Sequence, residues 1–465
     1  MRVRRDEEES KVSGRAGSSA SGRAPRRASH RAEQRAARRA AVPADIWVLV
    51  SAAFIVALGY GLIAPILPQF AASFDLGVTA ASVVVSSFAF FRLVFAPAGG
   101  RLVDRLGERR VYVAGLLIVA ASTGAVAAAQ DYWQLLLFRG LGGIGSTMFT
   151  VSAMALIIRL APPEARGRAS GLYASSFVFG NIMGPVAGGL LAGLGMRLPF
   201  VIYAVGLVIA ALVVWVRLER QPQLDSKGPA GGEGASAEAK GSTAAEAAPG
   251  PEPVSGQEPA SGQEPLRERM RFRDAWRDSA YKAALGSGLA VGWAAMGARI
   301  ALYPLFVVAV LGADPTLSGV ALTVFSAGMA VSVSQAGRIA DSRGRRPLLI
   351  VGLGVLGAST IAVGLSDSIW VFFVLSLFAG LGGGLINPAQ QAALGDIIGP
   401  HRKGGTVLSR FQMAQDLGAI AGPIVSGMLV DALNYGWAFA VTGTVALLAC
   451  LGWMLARETL GTPPR

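Results

Sequence analysis

Twelve times between residues 46 and 456 the chain runs apolar for about 20 residues, the length that crosses roughly 30 Å of hydrocarbon as a helix. Nothing else in the sequence narrows the fold as much. Hydrocarbon offers backbone N–H and C=O groups no partner, so such stretches must be helices packed on one another. The spans run 46–69, 79–100, 111–129, 133–158, 169–193 and 199–216, then 282–310, 318–338, 347–365, 369–395, 406–430 and 436–456. Composition agrees: 52% of residues are hydrophobic and only 15% charged, yet the net charge is +13. A nucleic-acid binder reaches a basic balance with abundant charge and ordinary apolar content, so a soluble enzyme or a DNA-binding domain is excluded and no nucleic-acid partner is expected. The partner expected first is the lipid bilayer.

Sites of soluble chemistry are lacking from the sequence. The single cysteine, Cys450, permits no internal disulfide, and His30 and His401 make no zinc constellation. We find no nucleophile–base pair and no phosphate loop, so neither an enzyme nor a cofactor or metal is expected. Residues 1–45 are polar, with 12 lysines and arginines, and lack the apolar run of a secretory signal.

The expected organisation is a disordered basic tail (1–45), a six-helix bundle (46–216), a low-complexity linker (217–281), a second six-helix bundle (282–456) and a short C-tail (457–465). The linker is rich in Gly, Ala, Ser, Pro and Glu and repeats SGQEP, a composition that cannot bury a core. Its last part, 266–282, mixes Arg with Met, Phe and Trp and could form an interfacial helix. Of the 42 lysines and arginines, 37 fall on one side of the spans, in the two tails, the linker and loops 2–3, 4–5, 8–9 and 10–11. The other side carries Arg197 with Asp75, Asp131, Asp314, Asp367 and Asp431. By the positive-inside rule both termini and the linker are cytoplasmic. Enrichment in Ala, Arg and Gly points to a bacterial inner membrane, and a monomer is expected.

The halves are copies. GRLVDRLGERR, beginning at Gly100, returns as GRIADSRGRRP, beginning at Gly337. FRGLGGIG at 138–145 returns as FAGLGGGL at 378–385, and GNIMGPVAGG at 180–189 as GAIAGPIVSG at 418–427. Three matches at nearly one offset identify a duplication, hence two pseudo-symmetric six-helix bundles.

These residues carry a resemblance. The chain resembles a twelve-helix member of the major facilitator superfamily over about residues 45–457. Loop 2–3 holds Gly100-x-x-x-Asp104-Arg105-x-Gly107-x-Arg109-Arg110, and its copy keeps Gly337, Asp341, Gly344, Arg345 and Arg346, with Ser342 in place of Arg105. Helix 4 carries Arg139 ahead of Gly142, Gly143 and Gly145. Helix 5 carries Gly180-x-x-x-Gly184-Pro185-x-x-Gly188-Gly189, similar to the antiporter signature of drug:proton antiporters. Helix 1, with Gly59-Tyr60-Gly61, Pro65 and Pro68, also looks like that group. The resemblance implies that Asp104 faces the start of helix 11 when the cytoplasmic side is closed, with Arg410 as a possible partner. The loop signatures would then be a conformational latch; the other reading of their arginines is charge sidedness alone. The helix-5 glycines permit close helix approach with or without a gating role.

Ionisable side chains inside the bilayer are costly and point to function. Four stand out: Arg92, Arg139, Arg299 and Asp416. At about 1.5 Å per residue, Arg92 lies roughly 18 Å from Asp104 and Asp416 roughly 15 Å from Thr406. Helices 2 and 11 are neighbours in the family's fold, so we expect an Arg92–Asp416 pair joining the halves; a static pair or separate hydrogen bonds is the competing reading. Arg139, Arg92 and Asp416 are the candidates for proton coupling. The family's cavity is lined by helices 1, 4, 7 and 10, which supply Tyr60, Arg139, Thr147, Thr150, Trp293, Arg299, Tyr303, Asn387, Gln390 and Gln391. The last three share one helix face, which should look into the cavity. Helix 1 has no acidic residue beyond Asp45, and the four membrane charges sum to +2, favouring anionic, zwitterionic or neutral amphipathic cargo over lipophilic cations.

The resemblance implies a secondary active transporter exchanging protons for a drug-like or amphipathic small molecule. A carrier dedicated to one physiological solute, and a transport-inactive membrane sensor on the same fold, are the alternatives.

Overall fold

The computed structural model describes residues 42–162, 165–218, 270, 272–399, 402 and 404–461. Most of the expected N-tail and linker, the last four residues, His30 and His401 lie outside the described residues. Twelve helices are long and apolar enough to cross a membrane. They are α1 (Ala44–Ile63), α2 (Gly77–Leu106), α3 (Glu108–Ala128), α4 (Tyr132–Leu160), α5 (Arg166–Ala192) and α6 (Leu198–Arg217), followed by α7 (Ser279–Ala309), α8 (Thr316–Arg343), α9 (Arg345–Val363), α10 (Ile369–Ile398), α11 (Gly405–Ala432) and α12 (Tyr435–Leu455). We call the end holding the turns α2–α3 and α8–α9 the basic end, and the opposite one the acidic end.

Two expected spans are built differently. The first, read as 46–69, ends as a helix at Ile63 and restarts as a short helix at Leu67–Ala72, because Pro65 and Pro68 cannot supply the amide hydrogens a continuous helix needs. The seventh is interrupted by a π-helical turn at Gly292–Ala298. Here α7 crowds α11, and a Cβ at Gly292 would stand 1.9 Å from the Gln415 carbonyl oxygen. From the stretch before α7 the structure describes a six-residue helix, Phe272–Arg277, whose Phe272 ring lies 5.5 Å from Trp276 and 6.2 Å from Tyr281.

The halves repeat one packing scheme. In the first, α1 packs on α5 and α6, α4 on α2 and α3, and α3 on α6; in the second, α7 packs on α11 and α12, α10 on α8 and α9, and α9 on α12. The one-residue turns α2–α3 and α8–α9 use Gly107 and Gly344 at φ 82° and 102°, a region closed to most side chains. Beside each turn is an ion pair with its signs exchanged. Glu108 meets Arg159 at 2.8 Å in the first half; in the second, Arg345 meets Asp396 at 3.0 Å.

Between the halves, α2 packs along α11 and α5 along α8. At the acidic end these seams are closed. One continuous buried apolar cluster runs from the first half into Ile300–Val307, Phe372 and Phe439 of the second. Small residues let the backbones meet: a Cβ at Gly319 would stand 2.4 Å from the Pro185 oxygen, and one at Gly427 would stand 2.9 Å from Thr79 Cα. No side chain of the first half caps α2. Asp431 of α11 does so, accepting from the Val78 amide at 3.0 Å and the Thr79 amide at 2.8 Å. A carboxylate at a helix N-terminus is favoured by the dipole and by charge-assisted bonds.

Toward the basic end the same two helices part. Residues 94–97 and 104–106 of α2, and 405–406, 408–410 and 412–413 of α11, are exposed. Gly100 and Gly337 would meet nothing within 4 Å if given a Cβ. The halves are thus closed on one another at the acidic end and parted toward the basic end. Gly319→Val should therefore wedge the closed seam, costing about 1–3 kcal/mol. In detergent its thermal unfolding midpoint should fall below wild type, whereas Gly337→Ala should leave it unchanged.

Candidate functional site

Where α2 and α11 separate, Arg92 and Asp416 face one another across the halves, Nη2 to Oδ1 at 3.4 Å. Buried contacts lie on the acidic side of this pair, including Ser86 Oγ donating to the Ile420 carbonyl at 2.9 Å; exposed stretches lie on the other. Asp416 also accepts from Gln412 Nε2 at 3.1 Å, and Thr147 donates to the Arg92 carbonyl at 3.0 Å. The side chains retain 39% and 15% exposure, so the pair borders the opening between the halves rather than lying in a dry core. Gln412 was legible as the residue one helical turn from Asp416.

The other two membrane arginines are not in that pair. Arg139 is buried, its guanidinium 4.3 Å from the Phe88 ring centre and 5.8 Å from that of Tyr60. Arg299 lies over Phe325 at 3.9 Å and donates from Nε to the Ala295 carbonyl one turn earlier at 2.9 Å. Tyr60 is partly exposed. Phe88 and Phe325 carried no sequence signal, since an aromatic on an apolar helix looks like packing.

The remaining cavity candidates divide. Thr150, Asn387 and Gln391 are exposed, and Trp293 is partly exposed with Nε1 3.4 Å from Thr442 Oγ1. Gln390 does not look into the cavity: it is 0% exposed and donates to Ser287 of α7 at 2.8 Å, where Trp453 Nε1 also donates at 3.0 Å. An amide away from water needs a fixed partner, and Ser287 supplies one inside the bundle. Tyr303 is likewise a core residue, 2% exposed between Phe372 at 4.9 Å and Phe439 at 5.9 Å. The helix-5 glycines serve two neighbours. Gly180, Gly184 and Gly188 admit the backbone of α1 between Phe54 and Leu62, while Gly189 meets Thr316 and Gly319 of α8 in the other half.

At the basic end the two signature loops differ. Asp104 and Arg105 are exposed, and Asp104 forms no ion pair among the described residues. Arg410 stacks 5.3 Å from the Phe272 ring centre instead of meeting Asp104. The expected contact of Asp104 with the start of α11 belongs to a closed basic end, and here that end is open. Arg109 donates to the Trp215 carbonyl and stacks on its ring at 4.8 Å, and Arg110 is exposed. In the second half Asp341 is engaged by Arg345 at 3.2 Å. Glu458, just past α12, accepts from the amides of Arg345 and Arg346 at 3.0 and 3.1 Å. Partial burial pushes the Glu458 carboxyl up, but amides of Leu460, Arg345, Thr459 and Arg346 outweigh it and hold the group below its ordinary value. The Asp278 carboxylate, hydrogen-bonded to Arg457, raises that guanidinium.

Twelve membrane spans in two matching halves, closed on one another at one end and parted at the other, define a polytopic membrane protein. The chain belongs to the Major Facilitator Superfamily, whose family model matches residues 49–300 and 285–465. It is 31% identical over 185 residues to Multidrug resistance protein 2 of Bacillus subtilis (strain 168), an alignment covering 38% of this chain and 46% of that protein. It is 30% identical over 181 residues, with the same coverage, to Quinolone resistance protein NorA of Staphylococcus aureus (strain Mu50 / ATCC 700699). The chain thus matches just under half the length of these curated relatives. Among solved structures it is similar to a bacterial homolog of the human lysosomal transporter Spinster in an inward-facing, unoccupied conformation, with TM-score 0.71 at 18% identity, covering 89% of this chain and 97% of that one. A D-xylose-proton symporter gives TM-score 0.68 at 15% identity, covering 90% and 99%. These two share the fold.

An ion pair at the point of separation should be energetically coupled. Arg92→Gln and Asp416→Asn should each lower the unfolding midpoint, and the double variant should recover about 1 kcal/mol of the summed loss, as expected of a partly exposed pair. A double-mutant cycle by thermal denaturation in detergent measures this, and strict additivity would show the two groups to be independent.

Proposed function

We propose that this chain is a proton-coupled exporter of drug-like amphipathic small molecules, working by alternating access. The observation that carries the reading is the Arg92–Asp416 pair, set between the halves where the closed seam gives way to the parted ends. Protonating Asp416 cancels its charge and removes half of the attraction, so the halves part more easily there; deprotonation restores the clasp. A proton is thereby exchanged for a change in which end is open. The similarity to Multidrug resistance protein 2 and to Quinolone resistance protein NorA supports a drug-like cargo.

The rest of the reading follows from this. The basic end faces the cytoplasm of a bacterial inner membrane, with the described conformation inward-open and the chain acting as a monomer. The two bundles, 46–216 and 282–456, rock against one another while tails and linker stay cytoplasmic. When the basic end closes, Gly100, Asp104, Arg105 and Gly107 approach the start of α11, and Gly337, Asp341 and Gly344 approach the first half, latching it. Arg109, Arg110 and Arg345 hold the turns at headgroup level. Of the antiporter motif, Gly180, Gly184 and Gly188 seat α5 against α1, while Pro185 and Gly189 meet α8 and close the acidic end. Tyr60, Arg139, Thr150, Trp293, Arg299, Asn387 and Gln391 border the cargo's path.

The test uses full-length protein in proteoliposomes with norfloxacin as probe and an imposed pH gradient. Wild type should accumulate norfloxacin against its gradient. Asp416→Asn should lose at least about tenfold of the gradient-driven rate while gradient-free exchange persists, because only the protonation step is removed. A variant that responds to the pH gradient like wild type would show that Asp416 does not carry the proton. Expression of wild type in a pump-deficient strain should raise tolerance to several unrelated amphipaths. Tolerance to none, with transport of one nutrient, would point to a dedicated solute carrier.

A further inference from the structure

One of the fastenings at the acidic end is a helix cap borrowed from the other half. Helices α4 and α12 start on caps of their own: Asp131 accepts from the Gln134 amide at 2.8 Å, and Asn434 from the Trp437 amide at 3.1 Å. Helix α2 starts after Leu76, which has no side-chain acceptor, so its first amides need a partner from elsewhere. Asp431, at the end of α11, fills the missing place and accepts from Val78 and Thr79, the second and third residues of α2. The backbone leaves room for it. Gly77 has φ 79°, and a Cβ there would stand 3.2 Å from Asp431 Oδ2. No lysine or arginine pairs with Asp431 among the described residues, so its counter-charge is the positive end of α2. Gln69 with Ser318, and Ser86 with the Ile420 carbonyl, also join the halves on this side, but both bonds are between neutral groups.

The same two helices carry the mirror arrangement at the basic end. They run antiparallel, so that end holds the C-terminus of α2 and the N-terminus of α11. Asp104 lies two residues before the end of α2, and α11 starts after Gly404 with no side-chain cap. Each helix therefore bears an aspartate near its C-terminus and has no cap of its own at its N-terminus. In the described conformation the Asp431 cap is made, while Asp104 is exposed. We infer that Asp431 is the gate residue of the acidic end: its bonds to Val78 and Thr79 favour the conformation in which that end is shut, and they break when it opens. Hydrogen bonds weaken steeply with distance and angle, so a small parting of α2 from α11 removes both bonds together. The gate is thus made or broken rather than graded. Asp431 acts as a positioning residue, through the relative placement of the halves. This deepens the alternating-access reading above and rests on it.

The test measures distances between spin labels by double electron–electron resonance, on purified full-length protein carrying Cys450→Ser and without cargo. One label pair, Gln130→Cys with Asp367→Cys, spans the halves at the acidic end. The other, Leu106→Cys with Ser409→Cys, spans them at the basic end, and all four native side chains are exposed. Asp431→Ala should raise the ratio of long to short distances at the acidic end at least about fivefold, the scale of one helix cap. The basic-end pair should shift toward its short distance in step, which loss of a merely structural contact would not produce. Asp431→Asn, which keeps one acceptor oxygen instead of two, should fall between wild type and Asp431→Ala. Asp431→Glu, which keeps the carboxylate, should stay closer to wild type than Asp431→Asn. Two populations in the same ratio in wild type and Asp431→Ala, or a change at the acidic end with none at the basic end, overturns the gate and leaves the transport reading standing. A single distance in wild type and every variant, unmoved by added norfloxacin, sinks alternating access and the gate with it.

Discussion

The seam at the acidic end governs the arrangement of everything else. Along it two pairs of helices touch backbone to backbone, through Gly189 against Gly319 and through Gly427 against the first turn of α2. Helices in lipid gain little from burying apolar side chains, because the alternative surrounding is just as apolar. What remains is close van der Waals contact and the few polar bonds that can be made, and this seam has both. Asp431 fastens the N-terminus of α2 from the other half, and Gln69 reaches Ser318 at 3.2 Å. With the acidic ends held together, the inclination of the halves decides where they diverge, which is at Arg92 and Asp416.

The polar groups in the bundle fall into two kinds. Some are fully committed to the protein: Gln390 and Trp453 both use Ser287, and Tyr203 donates to the Val56 carbonyl. They fix each half as a unit. Others, Arg92 with Asp416 and the ring-stacked Arg139 and Arg299, are held by contacts that either cross between the halves or leave donors over. Rigid bodies that shift against one another keep their internal bonds while the groups between them change partners, which is the division seen here.

Much of this was legible from the chain alone. Bilayer thickness and rise per residue are fixed quantities, so the twelve spans could be counted, and Arg92 and Asp416 could be set at matching depth. The repeats betrayed the duplication because turns such as those at Gly107 and Gly344 tolerate few substitutes. What stayed hidden depended on long-range partners. The spacing of Asn387, Gln390 and Gln391 identifies a helix face but not what it confronts, and Ser287 is over a hundred residues away in sequence. Glu108 and Arg345 look like a mismatch between the copies until Arg159 and Asp396 are placed beside them. The change of sign at one position is answered at the other, which a linear comparison does not display.

The π-helical turn in α7 makes that helix two rods. The rod from Ser279 to Val291 packs within its own half, on α10, α11 and α12. The rod from Arg299 to Ala309 touches α8 and α11 but also α2 and the short helix Leu67–Ala72 of the opposite half. Between them the backbone bonds reach five residues instead of four, a wider and less economical coil that yields more readily than the regular helix on either side. The second half therefore contains an elbow, and α1, its counterpart, is an unbroken helix as far as Ile63. Two bundles descended from one ancestor need not be equally stiff: one can serve as the anvil while the other flexes.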